Sequence, residues 1–161
     1  MTAPRIYLDT SVLGGYYDDE FSGPTRQLFH AFSQGKLTSL VSSTLLEEVE
    51  LAPHEVRKLL ATLLDLGAER LEAVATCFEL QEAYLAAGVI SRRYADDALH
   101  VAHATLSKAD AIVSWNFKHL VRADRIRGYN RVNQSYGHDA VVILTPLDII
   151  QGLEAGTNED A

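Results

Sequence analysis

The chain has 161 residues, 47% of them apolar, and a formal net charge of −8 at pH 7. This length and composition predict a single domain over residues 1–152 with its own core, followed by a frayed polar tail over 153–161. The longest apolar runs are far shorter than the ~20 residues of a membrane-spanning helix, and the first residues lack the apolar segment of a signal peptide. These features exclude a membrane protein, and with a single cysteine, Cys77, they predict a cytoplasmic location.

Basic residues are concentrated in one part of the chain. From Arg92 to Arg131 there are eight Lys and Arg residues and four Asp and Glu residues, so this segment carries +4 and the remainder carries −12. A basic segment can hold a polyanion such as a nucleic acid, and a solvated helix face gives the same counts. Charge alone leaves both interpretations open.

Strands and helices are predicted to alternate along the chain. Short β-prone runs predict strands at 5–8, 37–42, 69–75, 111–114 and 141–144. Apolar side chains at helical spacing predict helices at 12–17, 25–34, 54–66, 76–88, 93–107 and 125–136, with another beginning at Thr44 and a final capped turn at 145–148. Such alternation is typical of a three-layer α/β/α sandwich with a central, mostly parallel sheet of four or five strands.

Polar residues stand where predicted strands end. Asp9 follows the first strand, and Asn116 follows the strand at 111–114. Asp96 and Asp97 lie in the helix that precedes the latter strand. In open α/β sheets the functional site lies at the carboxyl ends of the strands, so we expect these residues to line one site.

A third acidic position is predicted from a helix cap. Thr44 and Glu47 have the spacing of a capping box, in which the glutamate folds back onto the backbone of the cap. This interpretation assigns Glu47 to the helix terminus. It leaves Glu48 available for the site.

Carboxylates brought together without bases repel one another, which raises their pKa unless a divalent cation neutralises them. Asp9, Glu48 and Asp97 are the candidates for such a cluster. Oxygen ligands suit Mg²⁺ or Mn²⁺ rather than Zn²⁺, and these ions support phosphodiester hydrolysis. Thr10 and Ser11 either orient Asp9 or cap the following helix. A cap or a surface charge explains each carboxylate separately.

Several segments resemble a known family. They are the strand-terminal DTS at Asp9, the Ser-x₅-Glu-Val pattern over 42–49, DALHVA over 97–102, and IVSWNFKHLV over 112–121. Together they resemble a PIN domain, the ribonuclease fold of VapC-type toxins, from residue 5 to about residue 150. The resemblance implies a metal-dependent single-strand endoribonuclease, often a homodimer, that is inhibited by a cognate antitoxin protein.

The resemblance also implies roles for individual residues. Asp9, Glu48 and Asp97 would be the catalytic and metal-binding acids, with Asp96 as an extra acidic neighbour. The usual fourth acid follows the fourth strand, where this chain has Asn116. An amide adds no negative charge, so we expect one tightly held Mg²⁺ or Mn²⁺. Slow hydrolysis and RNA binding without hydrolysis are both compatible with Asn116 at this position.

Basic residues next to Asn116 are candidates for RNA binding. Lys118, His119 and Arg122 follow it directly, and they either contact phosphates or are solvated charges. A third class of function, a phosphatase or phosphotransferase with Asp9 as nucleophile, resembles the haloacid dehalogenase-like enzymes. Those enzymes need a second Asp two residues later, where this chain has Ser11.

The remaining polar and aromatic residues of this region are predicted to be structural. On a helical wheel His100 and His103 lie on the polar face with Asp96 and Asp97, and His100 is placed to hydrogen-bond Asp96. Both histidines are predicted to be structural rather than metal ligands. Trp115 is predicted to pack at the strand end rather than to stack on a nucleobase.

Overall fold

The computed structural model describes residues 2–160, and the side chains of residues 2–156. Five parallel strands form one sheet in the order β3-β2-β1-β4-β5. Their bounds are β1 (Arg5–Leu8), β2 (Thr38–Ser42), β3 (Glu69–Leu71), β4 (Ala111–Val113) and β5 (Ile143–Leu144). The predicted parallel sheet is confirmed, and it has five strands.

Eight α-helices connect and cover the strands within the described residues. They are α1 (Thr10–Gly15), α2 (Ser22–Ser33), α3 (Ser43–Glu50), α4 (His54–Asp65), α5 (Ala75–Ala86), α6 (Ala95–Leu106), α7 (Ala123–Ser135) and α8 (Pro146–Asp160). None of these helices is both long and apolar enough to cross a membrane.

Each face of the sheet has its own apolar core because side chains alternate along a strand. Ile6 and Leu8 pack into the core with α1 to α4 and α8. Tyr7, between them, points to the other core, which it shares with α5, α6 and α7. The three-layer α/β/α prediction is therefore confirmed.

The chain reverses its direction of travel across the sheet at β1. From β1 it proceeds outward through β2 to β3, and then crosses to β4 on the other side of β1 and outward to β5. Tyr7 pairs with Leu40 of β2 and with Ile112 of β4. The carboxyl ends of β1 and β4 therefore flank a topological switch point, where open α/β sheets bind ligands.

The prediction for the start of α3 is wrong. α3 begins at Ser43, and the hydroxyl of Ser42 accepts a hydrogen bond from the backbone N–H of Leu45 at 3.1 Å. Because β2 passes into α3 without a loop, the last strand residue is the cap. Thr44 lies two residues beyond the cap, inside the helix, so Glu47 forms no capping box with it.

The C-terminal helix is longer than the predicted final turn. The hydroxyl of Thr145 accepts from the backbone N–H of Asp148 at 3.1 Å, and the Asp148 carboxylate accepts from the Thr145 N–H at 3.0 Å. This reciprocal cap confirms the predicted start, and α8 then runs through Asp160. The tail predicted over 153–161 overlaps the end of α8, and residue 161 and the side chains of 157–160 lie outside the described residues.

Candidate active site

Asp9 is a buried carboxylate at the end of β1, held by two hydroxyl groups. Ser11 donates to its Oδ1 at 2.6 Å, and Ser114 donates to its Oδ2 at 2.7 Å. Ser11 also accepts from the backbone N–H of Trp115 at 2.9 Å, so the ends of β1 and β4 are joined through this carboxylate. Ser114 is not among the predicted site residues, and in the sequence only its place at the end of the strand indicates a role in the site.

Glu48 on α3 is bonded on both of its oxygens. Thr10 donates to its Oε2 at 2.7 Å, and His100 Nε2 lies 2.6 Å from its Oε1. The other ring nitrogen of His100 lies 2.6 Å from the hydroxyl of Tyr7, which lies 2.7 Å from the hydroxyl of Ser42. A continuous chain of hydrogen bonds therefore leads from Glu48 into the core.

The predicted polar face for the two histidines of α6 is wrong. Both side chains are only 2% exposed. His100 pairs with Glu48 and not with Asp96, which is exposed, and His103 Nε2 lies 3.0 Å from the hydroxyl of Thr44. A helical wheel assigns one buried face to a helix. Because α6 packs against α3, α5 and the sheet, more of its circumference is buried than that.

The acids of this site have different pKa values because their surroundings differ. Burial and then the charge of Asp9 raise the pKa of Asp97 to about 6. Burial also raises the pKa of Asp9, against the charge of His100 and the two serine hydroxyls. Burial acts on Glu48 in the same direction, but the bonded His100 outweighs it, so the pKa of Glu48 lies below its ordinary value. Within the described residues, no Lys or Arg pairs with Asp9 or Asp97, and the charge of His100 offsets the rise in their pKa values only in part.

Asn116 stands at the position where the family resemblance implies a fourth acid, and backbone N–H groups of residues that follow it orient its side chain. Its Oδ1 accepts from the backbone N–H groups of Lys118 at 3.1 Å and His119 at 3.0 Å. Its Nδ2 faces Asp97, with 3.5 Å to Oδ2. The amide therefore presents a donor to the acid, and its carbonyl oxygen accepts from two N–H groups.

The three candidate RNA-binding residues differ in whether their side chains are already engaged in other contacts. Lys118 is exposed, and its side chain has no hydrogen-bond or ion-pair partner among the described residues. Arg122 forms an exposed ion pair with Asp124, with 2.7 Å from Nε to Oδ1. The ring of His119 stacks on Tyr94 with centroids 3.9 Å apart. Lys118 is therefore the basic side chain of this set that can contact a ligand without breaking an interaction.

The fit of a metal ion depends on Asp9 and Asp97. Among the described residues, no group of three or more His, Cys, Asp or Glu side chains is arranged to hold a metal ion. Glu48 and Asp9 each have two bonded oxygens, but only Glu48 pairs directly with a histidine, His100, which compensates its charge. Two carboxylates with raised pKa values still provide hard oxygen ligands, and Mg²⁺ commonly binds through one or two carboxylates while keeping several waters. The donor chemistry therefore fits Mg²⁺ or Mn²⁺.

Comparisons with known proteins agree with this fold. The family model described as PIN domain matches residues 5–118. Among solved structures, the fold is similar to a chain in the crystal structure of VapBC2 from Rickettsia felis bound to a DNA fragment from their promoter. That chain is 17% identical, the TM-score is 0.55, and the match covers 86% of this chain and 96% of that chain. No curated protein matches the chain. Because the family model covers more than half of the chain, the chain belongs to the PIN domain family.

Proposed function

We propose that this protein is a Mg²⁺- or Mn²⁺-dependent endoribonuclease that hydrolyses phosphodiester bonds of single-stranded or structured RNA. PIN domains are generally nucleases. The observation that carries the proposal is the pair of acids at the switch point, Asp9 and Asp97, whose pKa values are raised and which pair with no Lys or Arg among the described residues. An acid pair with raised pKa values at the carboxyl ends of parallel strands is typical of a functional site rather than of a structural one.

Each residue of the site has a distinct part in this proposal. Asp9 and Asp97 would hold the cation, which when bound supplies an activated water and stabilises charge on the leaving oxygen. Ser11 and Ser114 fix both oxygens of Asp9 relative to β4. His100 and Thr10 keep Glu48 ionised and oriented through hydrogen bonds to its two oxygens.

The partners follow from the same proposal. We infer that the protein is the toxin of a toxin–antitoxin pair, with RNA as substrate and a cognate antitoxin protein as inhibitor. The similar fold of a chain in the VapBC2 structure supports this inference. A homodimer and a cytoplasmic location belong to the same proposal.

The test is cleavage of a fluorescently labelled single-stranded RNA with Mn²⁺, with Mg²⁺ and with EDTA. Asp9→Asn keeps the shape of the side chain and removes its charge, so we expect at least ~10³-fold slower cleavage, as for loss of a main catalytic group. Glu69→Gln is the matched control because it also neutralises one acid, but at the opposite edge of the sheet. Cleavage by Asp9→Asn at the rate of the unmodified protein would contradict the assignment of the site.

A weak or inactive RNA-binding module is the alternative, and it is favoured by the orientation of Asn116. With an amide donor facing Asp97, the pocket carries one negative charge fewer than a four-acid site. The alternative predicts salt-dependent RNA binding without turnover. Asn116→Asp can keep both backbone hydrogen bonds and restore the acid, so cleavage should appear or increase in this variant. Equal cleavage by both proteins at a substantial rate would exclude the alternative.

A further inference from the structure

Three aromatic rings form a cluster next to the acid pair. Phe21 and Trp115 stack with ring centroids 4.3 Å apart and an interplanar angle of 19°. The ring of Phe117 lies 6.3 Å from each of the other two, and this side chain is 50% exposed. We call Phe21, Trp115 and Phe117 the aromatic platform. Trp115 packs at the strand end, as predicted, and its stack supports an exposed ring.

The position of Trp115 is fixed by several neighbours. Its indole N–H donates to the hydroxyl of Thr25 at 2.9 Å, and its backbone N–H donates to Ser11 at 2.9 Å. A Cβ added at Gly15 would lie 2.6 Å from the indole Cδ1, so the ring occupies space that any larger residue would fill. Ser11 is the residue that holds Asp9. The platform and the acid pair are therefore built from the same hydrogen-bonded framework.

The platform lies beside the acid pair because two of its residues flank Asn116 in the sequence. Trp115 and Phe117 are the two neighbours of Asn116, whose amide faces Asp97. Lys118 follows directly and is exposed. An exposed aromatic ring and a cation thus lie within two residues of Asn116, whose amide faces one acid of the pair.

This combination fits one unpaired nucleotide. The π-face of any base stacks on an aromatic ring, and such stacking is largely independent of sequence. A lysine contributes attraction to the phosphate, whereas the acid pair would repel it in the absence of a cation. The apolar surface consists of one half-exposed ring with charged neighbours, which is small for the core of a protein interface.

We propose that Phe117, supported by Trp115 and Phe21, is a base-stacking subsite for an unpaired base of RNA adjacent to the bond that is cut. The choice of RNA as ligand rests on the proposed function. The subsite makes the enzyme require an unpaired nucleotide at this position. It sets no preference for a particular base, since every base offers a π-face.

Trp115 provides a direct binding signal because it is the only tryptophan in the chain. A single-stranded RNA octamer is titrated into the protein in EDTA, where no cleavage occurs, and indole fluorescence is followed. We expect quenching by the octamer, and weaker binding of the same octamer carrying an abasic site at each position in turn, with one position dominant. A fully paired duplex of the same sequence should bind at least ~5-fold more weakly, since loss of one stacked base costs about 1–3 kcal/mol.

Phe117→Ala should weaken octamer binding by roughly 5- to 100-fold, which is the same stacking energy expressed as a ratio. Phe78→Ala is the matched control, since Phe78 is also a phenylalanine that is 50% exposed but lies on α5, outside the platform. Phe117→Tyr keeps an aromatic face and should restore binding, which a purely structural role of exposed Phe117 would not explain. With Mn²⁺ the loss in Phe117→Ala should appear as a raised KM.

Equal octamer affinity of Phe117→Ala and Phe78→Ala would overturn the subsite, as would equal binding of the duplex. So would a Phe117→Ala protein that loses affinity for a purified antitoxin partner but keeps its affinity for the octamer. Cleavage with an unchanged KM in Phe117→Ala would remove the subsite and leave the ribonuclease in place. Quenching that depends on Phe117 in a protein that cuts no RNA would remove the ribonuclease and leave the subsite.

Discussion

The acidic residues near the two ends of β1 differ in whether a basic side chain pairs with them. At the amino end, the Arg5 guanidinium pairs with Glu69 at 2.6 Å, and the Arg5 backbone N–H donates to Asp110 at 2.7 Å. The hydrogen bond from Arg5 lowers the pKa of Glu69. At the carboxyl end, burial raises the pKa values of Asp9 and Asp97, and no Lys or Arg within the described residues pairs with either.

The difference distinguishes acids that stabilise the fold through ion pairs from acids whose charge a bound ligand would compensate. Paired acids at the amino end are compensated in the folded chain itself. The acids at the carboxyl end destabilise the fold when ionised, and a protein retains such groups where something outside the chain compensates them. His100 pairs directly with Glu48, and its charge lowers the pKa values of Asp9 and Asp97 only in part, since both remain raised.

The largest expected effect on stability follows from removing His100. His100→Leu breaks the bonds of His100 to Glu48 and to the Tyr7 hydroxyl, and among the described residues these two groups keep only Thr10 and Ser42 as partners. We expect a loss of about 2–3 kcal/mol, since breaking a buried pair costs ~3–5 kcal/mol and Glu48 is partly solvated. Thermal unfolding at pH 6 should show a fall in Tm of roughly 5–10 °C. His30→Leu on α2 replaces an exposed histidine and should change Tm little.

The pH dependence of this loss has a defined sign. Burial lowers the pKa of His100, but the hydrogen bond to Glu48 and the charges of Glu48, Asp9 and Asp97 together outweigh it and raise the pKa above its ordinary 6.5. The contribution of His100 is therefore present below pH 6.5 and is lost as pH rises through the raised value. The pKa of Glu48 is lowered from 4.5, so its contribution is lost as pH falls. The Tm difference between His100→Leu and the unmodified protein should therefore shrink on both sides of a maximum near pH 5–6. A difference that is independent of pH would mean that His100 acts by packing alone.

A smaller effect with the opposite sign is expected at Asp97. Its pKa is raised from 3.8 to about 6, so the protonated form stabilises the fold at low pH and this contribution is lost as pH rises through about 6. Asp97→Asn should therefore stabilise the protein at pH 7.5 in EDTA by roughly 1–2 kcal/mol, a discounted value because the side chain is partly solvated. At pH 4 the stabilisation should be absent.

The neighbouring acid provides the control for this variant. Asp96 is exposed on the same turn of α6, so Asp96→Asn should leave Tm unchanged. Mn²⁺ should raise the Tm of the unmodified protein and of Asp96→Asn, and should raise that of Asp97→Asn much less. An Asp97→Asn protein that is no more stable than the unmodified one in EDTA would show that the acid pair is already compensated within the chain.

The sequence predicts the fold and the location of the acid pair because both depend on local patterns. Apolar strands alternating with amphipathic helices indicate a parallel sheet, and residues that follow such strands, Asp9 among them, lie at its carboxyl edge by construction. Asp97 is predicted in the same way from its place near the start of a helix. None of these inferences requires knowledge of a contact between distant residues.

The hydrogen bonds of the site could not be predicted because they join residues far apart in the chain. Ser114 and Asp9 are separated by 105 positions, and His100 and Glu48 by 52. The capping-box pattern at Thr44 matches the local sequence, but the helix starts earlier because β2 passes directly into α3. Glu48 lies near the site, and the sequence does not show that Thr10 and His100 bond its two oxygens.

The smallest expected effect is at the compensated edge. Arg5 and Glu69 side chains are 31% and 43% exposed, so solvent screens their pairing and Glu69→Gln should cost no more than about 1 kcal/mol. Because the pKa of Glu69 is lowered from 4.5, this contribution is present above pH 4.5 and is lost as pH falls, and ~1 M salt should reduce it. Urea unfolding at pH 7 and pH 3, together with the RNA cleavage assay, measures both consequences. A loss of more than 2 kcal/mol, or slower cleavage, would mean that the two ends of β1 are not the separate structural and functional edges that their charges indicate.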